Sequence, residues 1–110
     1  MVQIVTRVIG TRIKNQDGSS RQKILLKYAG KGQAVTLHHD PHTDRDQNAV
    51  EVLIDSVEGK QQQRIGYLPG RVGERVAHAL VKGKPVTAVI STLTTASEGG
   101  AIGIGLTITY

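Results

Sequence analysis

The sequence predicts an α+β fold, mostly β: a curved sheet or small, partly closed barrel with two helices at its side. Three observations carry this. Short β-branched runs alternate apolar and polar residues, as half-buried strands do. Two stretches, about 19–29 and 70–82, space their apolar residues at helical intervals instead. Gly, Pro, Asp and Asn punctuate the gaps between these runs. No linker or low-complexity segment divides the 110 residues, so a single domain over 1–110 is expected. The chain has no Trp, Phe or Cys and only three Tyr, so Val, Ile, Leu and Ala must build the core. Without cysteine, neither a disulfide nor a thiolate metal site is available.

The elements follow in order. Residues 2–9 form a first strand with Val2, Ile4 and Val8 on one face; Gly10 ends it, and residues 11–14 read as a continuation past a bulge. Asn15-Gln16-Asp17-Gly18 is a turn by composition. In the first helix Ser19 is the expected cap, with Gln22 reaching back to close a capping box. Ile24, Leu25 and Tyr28 are expected on its inner face, Arg21, Lys23 and Lys27 elsewhere, and Gly30 at its C′ position. Residues 23–27 also suit a strand, but the helix fits the flanking signals better. Residues 33–38, with Val35 and Leu37, form a second strand; in residues 50–55, Val50, Val52 and Ile54 share one face of a third. Glu58-Gly59-Lys60 is a hairpin-type turn and residues 64–68 pair back as a fourth strand. Pro69 opens the second helix, in which Val72, Val76, Ala79 and Leu80 recur at i, i+4, i+7 and i+8 before Gly83 ends it. Residues 86–93 and 102–110 are the last two strands, joined by a Gly/Ser-containing turn.

The loop between the second and third strands concentrates histidine and aspartate. Asp and Asn suit such a loop because their side chains bond to nearby backbone amides. His38 and His42 have the spacing of a zinc pair on a helix, but Pro41 stands between them and an extended segment would point His38 and His39 to opposite faces. No metal or other cofactor is expected beyond adventitious zinc. No serine lies in a Gly-x-Ser-x-Gly elbow, and Gly99-Gly100-Ala101-Ile102-Gly103 lacks the Lys-Ser/Thr and the following helix of a phosphate loop. Catalysis is therefore not expected.

Charge gives a clearer direction. Fourteen Lys and Arg against nine Asp and Glu leave a net charge of +5. Arg7, Arg12, Lys14, Arg21, Lys23, Lys27 and Lys31 crowd the first third; Arg64, Arg71, Arg75, Lys82 and Lys84 surround the second helix. Such segregation favours a polyanionic partner. No apolar run approaches the roughly 20 residues that span a bilayer, and the N-terminus shows no signal-peptide core. A soluble, cytoplasmic protein without membrane or small-molecule partners is expected.

Three blocks then stand in order: Arg7-x-x-Gly10; Leu37-x-x-Asp40-Pro41-x-x-x-x-Asp46-x-Asn48-Ala49-Val50-x-Val52; and Ile65-Gly66-Tyr67-Leu68-Pro69 before a helix. Together, over about residues 5–93, they resemble the HIRAN domain family. The resemblance implies a six-stranded OB-like or SH3-like barrel with flanking helices. It also implies a nucleic-acid-binding module of DNA repair or replication-fork processing that captures the 3′-hydroxyl end of single-stranded DNA, with a helicase or nuclease as partner in trans. In that family an arginine just after the first-strand glycine, aromatic rings about the terminal base and an aspartate at the 3′-hydroxyl form the pocket. Arg12 matches the arginine and Asp46 the aspartate. A carboxylate accepts from a terminal hydroxyl yet repels a phosphate that continues the strand. Where that pocket has tyrosines, this sequence offers Ile13 and Arg45, Thr43 stands in place of an asparagine, and Tyr67 supplies one ring. The expected site is thus Arg12, Ile13, Lys14, Arg45, Asp46, Tyr67 and Arg71, with phosphates on Arg12, Lys14 and Arg71. A protein-interaction module without nucleic-acid affinity is the alternative, and a metal-dependent nuclease at the histidine–aspartate loop the third reading.

Overall fold

A computed structural model describes residues 2–39, 49–55, 62–95 and 102–110. Its elements are β1 (Gln3–Arg7), α1 (Arg21–Tyr28), β2 (Ala34–His39), β3 (Val50–Asp55), β4 (Gln62–Tyr67), α2 (Gly70–Val81), β5 (Thr87–Thr95) and β6 (Ile102–Thr109). The six strands form one sheet in the order β1-β6-β5-β2-β3-β4, each neighbouring pair antiparallel. This is the mostly-β, curled and partly closed barrel with two flanking helices that the sequence predicts.

The sheet curls because its two edge strands meet. Between β3 and β4 the register steps: Val52 faces Gly66 and Leu53 faces Arg64, so Ile65 is the extra residue of a bulge. A bulge bends its strand and tightens the local twist. Beyond it, Ile9 and Tyr67 exchange a pair of backbone hydrogen bonds of 2.8 and 2.9 Å and so tie the end of β1 to the end of β4. Val50, Val52, Ile54, Ile65, Ile90 and Leu106 are sealed inside the curl. Each such side chain stabilises the fold by roughly 1.5–3 kcal/mol relative to exposure.

The helices are set by local sequence. α2 packs on β3, and its buried face is Gly73, Val76, Ala77 and Ala79, with Val72 and Leu80 half-buried beside them. Gly83, at φ 76°, stops it: Gly83 N–H donates to Leu80 O and Lys84 N–H to Ala79 O, both at 3.0 Å, a complete Schellman pair. α1 departs from expectation at both ends. Ser20, not Ser19, caps it by accepting from Lys23 N–H at 3.2 Å. Gln22 closes no capping box; it spans to β6, accepting from Ile102 N–H at 2.6 Å and donating to Ile102 O at 3.1 Å. The C-cap is Ala29 in extended geometry, and Gly30 donates its N–H to Gln33 Oε1 at 3.0 Å instead of adopting a left-handed stop. Residues 11–14 do not extend β1 either. Gly10 at φ 75° turns the chain, with Ile13 N–H donating to Gly10 O at 3.2 Å. The turn at Glu58-Gly59-Lys60 lies outside the described residues, as does most of the turn between β5 and β6.

Candidate nucleic-acid interface

The closure of β1 on β4 shapes the candidate site. Gly66 lets the two strands approach so closely that a Cβ there would strike Ile9 O and stand 2.5 Å from Val8 Cγ1. Tyr67 follows at once, and its half-buried ring is delivered beside the Gly10 turn. A Cβ at Gly10 would meet Tyr67 Cδ2 at 3.8 Å and Ile13 Cδ1 at 3.9 Å, so these two side chains border the same small surface. Ile13 is 54% exposed, unusual for a residue of its apolarity. Arg12 and Lys14, both exposed, flank it in sequence.

A polar network holds this turn from below. Arg21, only 4% exposed, donates from Nη1 to Gly10 O and from Nε to Asn15 Oδ1, both at 2.8 Å. Asn15 passes the link onward, donating from Nδ2 to Ser19 Oγ at 3.1 Å and to Arg64 O at 3.0 Å. Arg64 pairs with buried Glu51 through Nε and Nη2, both at 2.6 Å from Oε2, and Glu51 Oε1 lies 2.8 Å from His38 Nδ1. Two guanidiniums flank the Tyr67 ring, Arg21 at 5.5 Å and Arg64 at 5.4 Å from its centroid. Each such contact contributes about 0.5–2 kcal/mol, more as it is desolvated. Burial pushes the Arg21 guanidinium below its usual value, which the Tyr67 hydroxyl and Glu51 partly offset. It stays charged at any physiological pH.

This network corrects the charge reading. Arg21 and Arg64 were counted among cations facing a polyanion, but both are held by partners within the protein. Arg21 was also expected off the inner face of α1. In fact 21, 24, 25 and 28 are the i, i+3, i+4 and i+7 positions of one stripe. A long arginine stem packs on such a stripe while its head reaches a polar target. That spacing was the signal available for finding it; Glu51 and Asn15 had none, because their partners come from other elements.

The other expected site residues divide into three groups. Tyr67 and Ile13 border the Gly10 turn, and Arg12 and Lys14, next to Ile13 in sequence, are exposed. Arg71 is exposed in the first turn of α2, which has no acidic residue and no side-chain cap. Arg45, Asp46 and His42 lie outside the described residues. His38 is half of an ion-pair geometry with Glu51, and among the described residues no group of three or more His, Asp and Glu could hold a metal. Also among them, no helix is long and apolar enough to cross a membrane.

A family model for the HIRAN domain matches residues 1–101. The chain belongs to the HIRAN domain family. HIRAN domains are nucleic-acid-binding modules, so the turn at Gly10 with Tyr67 lies in a domain of that general kind. The crystal structure of the HIRAN domain of human HLTF superposes with a TM-score of 0.62 at 18% identity, covering 96% of this chain and 74% of that one. A structural-genomics crystal structure of a Lactobacillus plantarum protein superposes with a TM-score of 0.67 at 16% identity, covering 99% and 98%. At such identities the likeness is one of fold. No curated protein sequence matches this chain.

Proposed function

We propose that this HIRAN domain is a non-catalytic module that binds single-stranded DNA, with a preference for a free 3′ end. The observation that carries the proposal is the preset turn. Gly10 is pinned by Arg21, Ile13 and Tyr67 border one surface, and Arg12 and Lys14 stand exposed beside it. An exposed aliphatic side chain next to an aromatic edge suits a base; the flanking cations suit phosphates. Arg71 extends the cationic surface, and Arg45 and Asp46 are assigned the base and the 3′-hydroxyl in this reading. One ring supplies about 1–3 kcal/mol per stacked base, so affinity rests heavily on the cations. A module of this kind would deliver a DNA end to a helicase or nuclease in trans, in repair or fork processing.

Fluorescence anisotropy tests it with labelled oligonucleotides bearing a free 3′-hydroxyl, a 3′-phosphate or a 3′ hairpin, each at two salt concentrations. The free 3′-hydroxyl is expected to bind tightest. Arg12→Ala is expected to weaken binding and reduce the salt slope by about 0.7, the value for one phosphate contact on a single strand. Equal affinity for all three ends removes the end preference and leaves only backbone contacts. No binding at low salt transfers the reading to a protein-interaction module.

A further inference from the structure

A second surface, apart from the Tyr67 edge, has the chemistry of a nucleic-acid track. Residues after the Gly10 turn fold into a small hairpin: Lys14 pairs with Ser20, and Asn15 N–H donates to Ser19 O at 2.9 Å. This pairing sets Lys14 against the start of α1. Between the hairpin and the helix lies a groove of about 490 Å³, lined among others by Lys14, Ser20, Lys23, Ile24, Lys27 and Tyr28. Among the described residues Lys14, Lys23 and Lys27 line the groove and no carboxylate does. The nearby Asp17 carboxylate is turned onto Ser19, accepting from its N–H at 2.9 Å and its hydroxyl at 2.6 Å. Ser20 Oγ, which accepts from Lys23 N–H at 3.2 Å, keeps its own proton to donate. The first turn of α1 has no acidic residue, so its amide end adds positive potential. Tyr28 is half-buried, with Lys27 Nζ 5.3 Å from its ring centroid. Lysines for phosphates beside one ring for a base are the usual elements of a sequence-tolerant single-strand track.

We infer that this groove carries the nucleotides of single-stranded DNA that lead away from the end held at the Gly10 turn, with Lys14 common to both surfaces. The inference rests on the proposed function but adds a separate subsite, which only strands longer than the end pocket reach.

The test compares oligothymidines of about four and about twelve nucleotides, a span within the site sizes of OB-like modules. The variant Lys23→Gln/Lys27→Gln is set against Lys82→Gln/Lys84→Gln, which removes the same charge near the far end of α2. The first pair is expected to weaken the long strand about tenfold at low salt and lower its salt slope by about 1.4, leaving the short strand almost unchanged. The second pair is expected to change neither. Equal losses from both pairs overturn the groove, because net charge then explains them. So does an unchanged long-strand affinity in the first pair. An Arg12→Ala chain that binds normally while the first pair loses long-strand affinity sinks the end pocket and keeps the groove. No binding of either strand by the parent chain sinks both.

Discussion

Replacing Arg21 with methionine isolates the element on which the candidate site depends. Methionine keeps a flexible stem of similar reach along the inner face of α1 but removes both hydrogen bonds, to Gly10 O and to Asn15 Oδ1, and the contact with the Tyr67 ring. Hydrogen bonds made by a charged donor contribute about 1.5–3 kcal/mol each. Both acceptors belong to half-buried residues that water can partly reach, which places each bond at the low end of that range. The two bonds alone therefore account for a loss of about 3 kcal/mol, to which the ring contact adds. That is a large share of the roughly 5–15 kcal/mol that stabilises a domain of this size. In urea, with a slope near 1.5 kcal/mol per molar, the midpoint should fall by at least about 2 M at unchanged slope. Arg21→Lys should recover only part of the loss, since an ammonium cannot reproduce the fixed fork of a guanidinium. DNA binding at temperatures where the variant is folded should also weaken, because the Gly10 turn loses its anchor. A midpoint within about 0.3 M of the parent's would refute the reasoning. The desolvation cost of burying the guanidinium would then balance its bonds.

Two further outcomes follow from the same geometry. Gly66→Ala forces a methyl into Ile9 O and Val8 Cγ1. It should cost at least about 2 kcal/mol through overpacking and the strained Ile9–Tyr67 pair, and it should speed amide exchange at those two residues ahead of the rest of the sheet. Slow exchange there in the variant would show that the edges do not need the glycine. The Asp17 carboxyl is held below the usual carboxylate range by the Ser19 hydroxyl and then by its amide. A depressed carboxylate adds stability that is present above its unfolded value and is lost as pH falls through its folded one. An NMR titration should therefore place Asp17 below the ordinary aspartate value and move it upward in Ser19→Ala. An ordinary midpoint in the parent chain would contradict the hydrogen bonds seen here.

The strands and the second helix were legible because their information is local. Period-two alternation marked the strands, and the spacing of Val72, Val76, Ala79 and Leu80, with Pro69 before and Gly83 after, marked α2. The Ile65-Gly66-Tyr67-Leu68-Pro69 block marked the candidate site, and the structure supplies its local physics: a bulge at Ile65, a close approach at Gly66 and a half-buried ring at Tyr67. The first helix was harder to read. Ser19 and Ser20 are chemically equivalent caps, and the choice between them is made by the hairpin that pairs Lys14 with Ser20. Gln22 could cap or cross, and the nearness of β6 decides that it crosses.

The sequence by itself thus determined the class of fold, the order of its elements, the aliphatic core and the excess of positive charge. All of these follow from residue type and short-range spacing. Tertiary structure alone decided what the charges do. Arg21 and Arg64 look like Arg12 in a list of cations. Yet the first two are drawn onto Gly10, Asn15, Glu51 and Tyr67 by contacts spanning the chain, while Arg12 and Lys14 stay in solvent. Whether an arginine holds the fold or faces a phosphate depends on which acceptors the folded backbone places within reach, and that is a property of position in space.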